Sequence, residues 1–254
     1  MTRHSHLLTR TLVIAAPREL VFRYFTDSER FARWWGPGST VDARVGGAVC
    51  IVYPNQVVAR GEFTRLETDR AVAFTYGYED PAKPIAIGGS LVTIELEDHA
   101  RGTRLSLRHE LADEQARDQH VPGWRFQLSQ FANVVGDEQH AGCEATIDEW
   151  FAAWHESDAE ARSALLLACC TDDVVMQDRY ASLAGRDELD QHIAACLLHM
   201  PGTVMRRDGD VKHCQGSVLV EWTASDAGGA SRGKGTNVMR LAADGRISWV
   251  VGFW

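Results

Sequence analysis

The chain is most easily approached through what it lacks. It has six cysteines in 254 residues, and Cys50, Cys143, Cys169, Cys170, Cys196 and Cys214 make no Cys-x-x-Cys pair and no zinc-like spacing. They read as reduced, mostly buried thiols. The adjacent Cys169-Cys170 has no nearby basic group to favour thiolate. No surplus of positive charge exists. The 26 Lys and Arg are outnumbered by 35 Asp and Glu, for a net charge of −9. Residues 1–142 contribute −2 and residues 143–254 contribute −7. Neither half offers the basic face that nucleic acid or an anionic membrane would require. The longest apolar run, Ala164 to Cys170, is far too short to span a bilayer. Met1 to Thr11 holds His and Arg but no secretory-type apolar stretch, so a cytoplasmic protein is expected. Phosphate-binding glycine loops are missing, because Gly88-Gly89, Gly228-Gly229 and Gly233-Lys234-Gly235 have the wrong spacing. So is a G-x-S-x-G elbow. Nucleotide-driven, metal-dependent and Ser-hydrolase chemistries are thereby disfavoured. No metal and no cofactor is expected.

What is present is hydrophobic periodicity of both kinds. In the first half, Leu7 to Ala15 reads as a strand and Pro17 opens a helix carrying Leu20, Val21, Tyr24 and Phe25. Thr26 and Glu29 are spaced as a capping box for a second helix, stopped at Trp34-Trp35-Gly36-Pro37. Six strands follow: Thr40 to Val45, Ala48 to Tyr53, Val57 to Leu66, Ala71 to Tyr78, Gly89 to Glu97 and Thr103 to Glu110. A long helix then places Trp124, Leu128, Phe131 and Val135 on one stripe, and Gly136 to Cys143 ends it.

In the second half, Ile147, Trp150, Phe151 and Trp154 form a helical stripe. Ser157 and Glu160 are spaced as the cap of a second helix that reaches about Cys169. Asp173 to Asp178 reads as a strand. Arg186 to His199 reads as a helix burying Leu189, Ile193, Cys196 and Leu197. Four strands occupy about 203–213, 217–225, 233–242 and 246–254, the last two joined at Asp244-Gly245.

These orders carry two resemblances. Pro17 with Val21-Phe22, Trp34-Trp35-Gly36-Pro37, Val45-Gly46-Gly47, Gly61-Glu62-Phe63, Phe74-Thr75-Tyr76, Gly102-Thr103-Arg104-Leu105 and Gly123-Trp124 resemble the START-like (SRPBCC) superfamily. The resemblance is to its group named for the activator of the heat-shock-protein-90 ATPase. Ile147 to Trp154, Gly185 to Leu189, Met200-Pro201-Gly202, Asp244 to Ser248 and Val251 to Trp254 resemble the SnoaL-like, nuclear transport factor 2-like group. The expected fold class is α+β, a helix-grip domain over 1–140 followed by a SnoaL-like cone-shaped α+β barrel over 143–254.

Both resemblances imply a hollow interior and a small hydrophobic or aromatic ligand. Ligand-binding candidates are Trp35 at the mouth with Tyr53, Phe63, Phe74, Tyr76 and Trp124 in the first half, and Trp154, Tyr180, Trp222 and Asn237 in the second. His109, near a strand end, could point inward. Polyketide-cyclase-, isomerase- or hydratase-like acid–base chemistry is the alternative, with Asp178 and His199 as candidate catalytic groups. Glu221 alternates with Trp222 and faces the other way. Asn237 falls where members of the group often carry an acid; an amide can hydrogen-bond a carbonyl but cannot exchange a proton, which favours binding. A chaperone-activator-like interaction protein is the third reading. The second resemblance also implies a homodimer through the C-terminal domain.

Overall fold

A computed structural model describes residues 6–254. The chain divides into two compact units, the first ending at Gly136 and the second spanning Asp137–Trp254. Each buries its own hydrophobic cluster.

The first unit runs β1 (His6–Ile14), α1 (Arg18–Thr26), α2 (Ser28–Trp35), β2 (Thr40–Val41), β3 (Ala48–Val52), β4 (Val58–Glu67), β5 (Ala71–Tyr78), β6 (Ser90–His99), β7 (Gly102–Leu111) and α3 (Glu114–Gln139). The strands form one seven-stranded antiparallel sheet in the order β1-β7-β6-β5-β4-β3-β2. Alternation sets which face is buried: on β7, Thr103, Leu105, Leu107, His109 and Leu111 point inward. The stripe predicted for α3 is buried, with Trp124, Leu128, Phe131 and Val135 in the core.

Two local expectations change. Helix α2 is capped by Asp27, whose carboxylate accepts from the Arg30 amide at 3.0 Å, and not by Thr26, whose hydroxyl instead donates to the Phe22 carbonyl. The carboxylate is the stronger acceptor for the unpaired amides of a first turn. The strand expected over Thr40 to Val45 is only the two-residue β2. Helix α3 ends at Gln139, inside the stretch from Gly136 to Cys143 expected to end it. Gly36 does end α2, at φ +152°; a Cβ there would lie 2.4 Å from the Val52 carbonyl oxygen, so no other residue fits.

The second unit contains α4 (Cys143–Ala153), α5 (Ala159–Cys169), β8 (Cys170–Gln177), β9 (Ser182–Ala184), α6 (Arg186–His199), β10 (Val204–Cys214), β11 (Ser217–Ser225), β12 (Ser231–Leu241) and β13 (Ile247–Phe253). The sheet order is β10-β11-β12-β13-β8-β9, with β13 and β8 parallel and the other neighbours antiparallel. β11 buries Val218, Val220, Trp222 and Ala224 on one face and leaves Glu221 exposed on the other. The cap of α5 is Asp158, accepting from the Ala161 amide at 2.8 Å, in place of Ser157. The third helix buries Leu189 and Ile193, while Cys196 and Leu197 are only half-buried. The short strand β9 was not anticipated; it pairs with the end of β8 across the turn that Asp178 closes.

Candidate functional site

A cavity of about 330 Å³ opens in the first unit between the inner face of the sheet and α3. The end of α2 brings Trp35, the end of β3 brings Tyr53, and β5 brings Tyr76 and Tyr78, two residues apart and therefore on one face. Helix α3 adds His120, Gly123, Trp124 and Gln127, which follow helical spacing. Of the predicted lining, Trp35, Tyr53, Tyr76 and Trp124 stand at the cavity. Phe63 and Phe74 do not. They cross edge to face at 6.2 Å, both buried, and belong to the packed core. Nor is Trp35 an exposed residue at the mouth: it is buried against Trp34, Tyr53 and Trp124.

The polar atoms of this region are nearly all accounted for. His109 is a buried histidine with both nitrogens engaged, accepting from Trp124 Nε1 at 2.9 Å and bonding Ser90 Oγ at 2.8 Å. Gln127 donates to the Trp34 carbonyl at 2.8 Å, which locks α3 against α2. Tyr53 and Tyr76 share a hydroxyl–hydroxyl bond of 2.7 Å, and Tyr78 bonds His120 Nε2 at 3.0 Å. The exception is Trp35 Nε1, buried without a hydrogen-bond partner. Burial pushes the Tyr53 and Tyr76 phenols above their ordinary range and, for Tyr76, the adjacent phenols push further the same way. Burial also lowers His120, outweighing its bond to the Ala116 carbonyl. Among the described residues the lining contains no carboxylate, lysine or arginine. Near neutral pH the cavity is therefore aromatic, hydrogen-bonding and uncharged.

Gly123 follows Pro122 on the exposed side of α3 with ordinary helical backbone, and a Cβ built on it would meet nothing within 4 Å. It lines the cavity from that exposed side.

In the second unit the predicted residues separate into an inner and an outer group. Trp222 and Asn237 are buried and joined by a 3.1 Å bond from Nε1 to Oδ1. Gly252 lies against both Asn237 Oδ1 and the Cβ of Asp178. Asp178 spends one carboxylate oxygen on the amides of Tyr180 and Ala181, each at 2.7 Å, so it closes the β8–β9 turn. Trp154 faces His192 edge-on at 6.0 Å, and His192 Nε2 lies 3.5 Å from Cys196 Sγ. Burial, with the negative charge of Asp178, raises the Cys196 thiol. The indole nitrogens of Trp150 and Trp154 are buried and unpartnered. His199 is exposed at the end of α6, and Tyr180 is exposed against Trp254 at 5.2 Å; neither is part of the inner group. The histidine beside Cys196 is His192, which helical spacing from Cys196 places on the same face. Among the described residues no His, Cys, Asp and Glu are grouped as a metal would need.

The family model for the activator of Hsp90 ATPase homolog 1-like protein matches residues 15–136, and that for the SnoaL-like domain matches residues 147–250. The chain is a fusion of an Aha1-like (SRPBCC) domain and a SnoaL-like domain. The fusion has the mixed α+β architecture of those families, a helix-grip domain followed by a SnoaL-like cone. The families are known for ligand binding and, on the SnoaL-like side, for isomerases and cyclases. No curated protein matches the fusion. Solved structures resemble one half at a time. A SnoaL-like family protein from Agrobacterium tumefaciens, described as a candidate isomerase, is 27% identical over 46% of this chain and 97% of its own, with a TM-score of 0.42. A protein from Chromobacterium violaceum is 26% identical over 49% of this chain and 93% of its own, with a TM-score of 0.42. The Aha1 dimer from Colwellia psychrerythraea is 16% identical over 48% and 90%, with a TM-score of 0.43. Among the described residues of the fusion, no helix is long and apolar enough to cross a membrane.

Proposed function

We propose that the Aha1-like domain binds a small, uncharged aromatic metabolite in the cavity between the sheet and α3. The observation that carries this reading is Gly123. Glycine in a helix interior costs about 1 kcal/mol relative to alanine, and here neither positive φ nor a close neighbour calls for it. At its exposed position the missing side chain leaves this side of the cavity open to a ligand. The aromatic walls and the absence of charged lining residues fit an apolar or aromatic molecule of one or two rings.

The test is Gly123→Leu. Leucine restores helix propensity and fills the opening. The variant should unfold at the same temperature or higher, while quenching of intrinsic tryptophan fluorescence by naphthalene, strong in the parent, is lost. Undiminished quenching in a folded variant would reject this location.

The reading for the SnoaL-like domain is acid–base chemistry at Asp178, with His192 in the place first expected for His199. It is favoured by the approach of Asp178 to Cys196 and Asn237. Dimerisation through that domain, and residence in a reducing cytoplasm, belong to the same proposal; six cysteines outside any disulfide fit the latter.

A further inference from the structure

We infer that the hydroxyls of Tyr53, Tyr76 and Tyr78, closed off by His120, form an oxygen-recognition site that selects aromatic ligands bearing a neutral hydroxyl or carbonyl oxygen. This rests on the binding reading above and names the ligand class.

The argument is a count of protons. His120 Nδ1 lies 2.7 Å from the Ala116 carbonyl oxygen, which can only accept, so Nδ1 carries the ring proton. Burial keeps the ring neutral. Its Nε2 is then a bare acceptor, and the Tyr78 hydroxyl, 3.0 Å away, donates to it. Tyr53 and Tyr76 hold one proton between their oxygens at 2.7 Å. Three phenols bring three protons: His120 takes one, the Tyr53–Tyr76 bond takes the second, and the third stays on whichever of that pair accepts. The Tyr78 oxygen, with which both Tyr53 and Tyr76 interact, is its acceptor within the protein, and a ligand oxygen competes for it. A ligand hydroxyl can accept it too and donate in return to the Tyr78 oxygen, which keeps a lone pair. All four side chains line the cavity, so the ligand's ring would lie among aromatic rings while its oxygen meets the phenols. A carboxylate is a poorer fit, because no lining cation offsets the loss of its hydration.

Isothermal titration of the full chain with naphthalene, 2-naphthol and 2-naphthoate tests this. One net hydrogen bond of about 1 kcal/mol corresponds to roughly five-fold in affinity. 2-Naphthol should therefore bind about five-fold or more tightly than naphthalene, although water solvates the naphthol better, and 2-naphthoate should bind most weakly. In the double variant Tyr53→Phe/Tyr76→Phe the naphthol advantage should fall, because only the Tyr78 oxygen is left to accept, while naphthalene affinity is retained, which would show the cavity intact. Equal binding of naphthol and naphthalene by the parent overturns the inference and leaves the cavity reading standing. So does tightest binding of 2-naphthoate, or a naphthol advantage undiminished in the double variant. Failure of all three probes to bind overturns both. The three-probe comparison on the unaltered protein stands even if the double variant does not fold.

Discussion

His120 shows how one side chain ties cavity to stability. Its ring is bonded on both nitrogens and its protonation is disfavoured by burial. The folded pKa lies below the unfolded value, near 6.5, so the unfolded chain takes up this proton first as pH falls. Above about pH 6.5 both states are neutral and the residue contributes no pH dependence. Below it the folded state loses ground, until the pH passes the lowered folded value and the loss stops growing. Urea midpoints at about pH 7.5 and about pH 5 should thus differ more for the parent than for His120→Gln. An equal loss in both proteins would mean that His120 is not buried neutral.

At the scale of elements, the helix starts discriminate best between spacing and chemistry. Both capping boxes inferred from sequence were off by one residue, and for the same reason. In Thr26-Asp27 and Ser157-Asp158 a hydroxyl and a carboxylate compete for adjacent positions, and the carboxylate holds the amide. Asp27→Ala and Asp158→Ala should each cost about 1 kcal/mol, read as a lower thermal midpoint. Thr26→Ala and Ser157→Ala should leave the midpoint nearly unchanged, and a reversal of that order would restore the original reading. The strands were legible because alternation survives in β6, β7 and β11. The three-residue β9 was not, since Ser182–Ala184 carries no pattern and exists only by pairing with β8. The cavity was half legible. Tyr76 was anticipated, yet Tyr78 follows it at strand spacing, and His120 and Gln127 flank Trp124 at helical spacing. Their polar heads do not mark them as wall residues in the sequence. Phe63 and Phe74 misled for the opposite reason: aromatic character alone does not distinguish a wall from a packed core.

At the scale of the whole molecule, two families with ligand-binding members share one chain, and each unit has its own buried cluster. Apart from β9, the order of elements was readable because turn residues punctuate it. What the interior binds was not, since burial and bond counting need coordinates. The account's central claim is that the space over Gly123 is kept open for a metabolite. Native mass spectrometry of the freshly purified full chain measures this directly. The account predicts a fraction of molecules carrying one small adduct, released by mild activation and absent from Gly123→Leu prepared in the same way. An adduct of the same mass retained in equal amount by Gly123→Leu would contradict it.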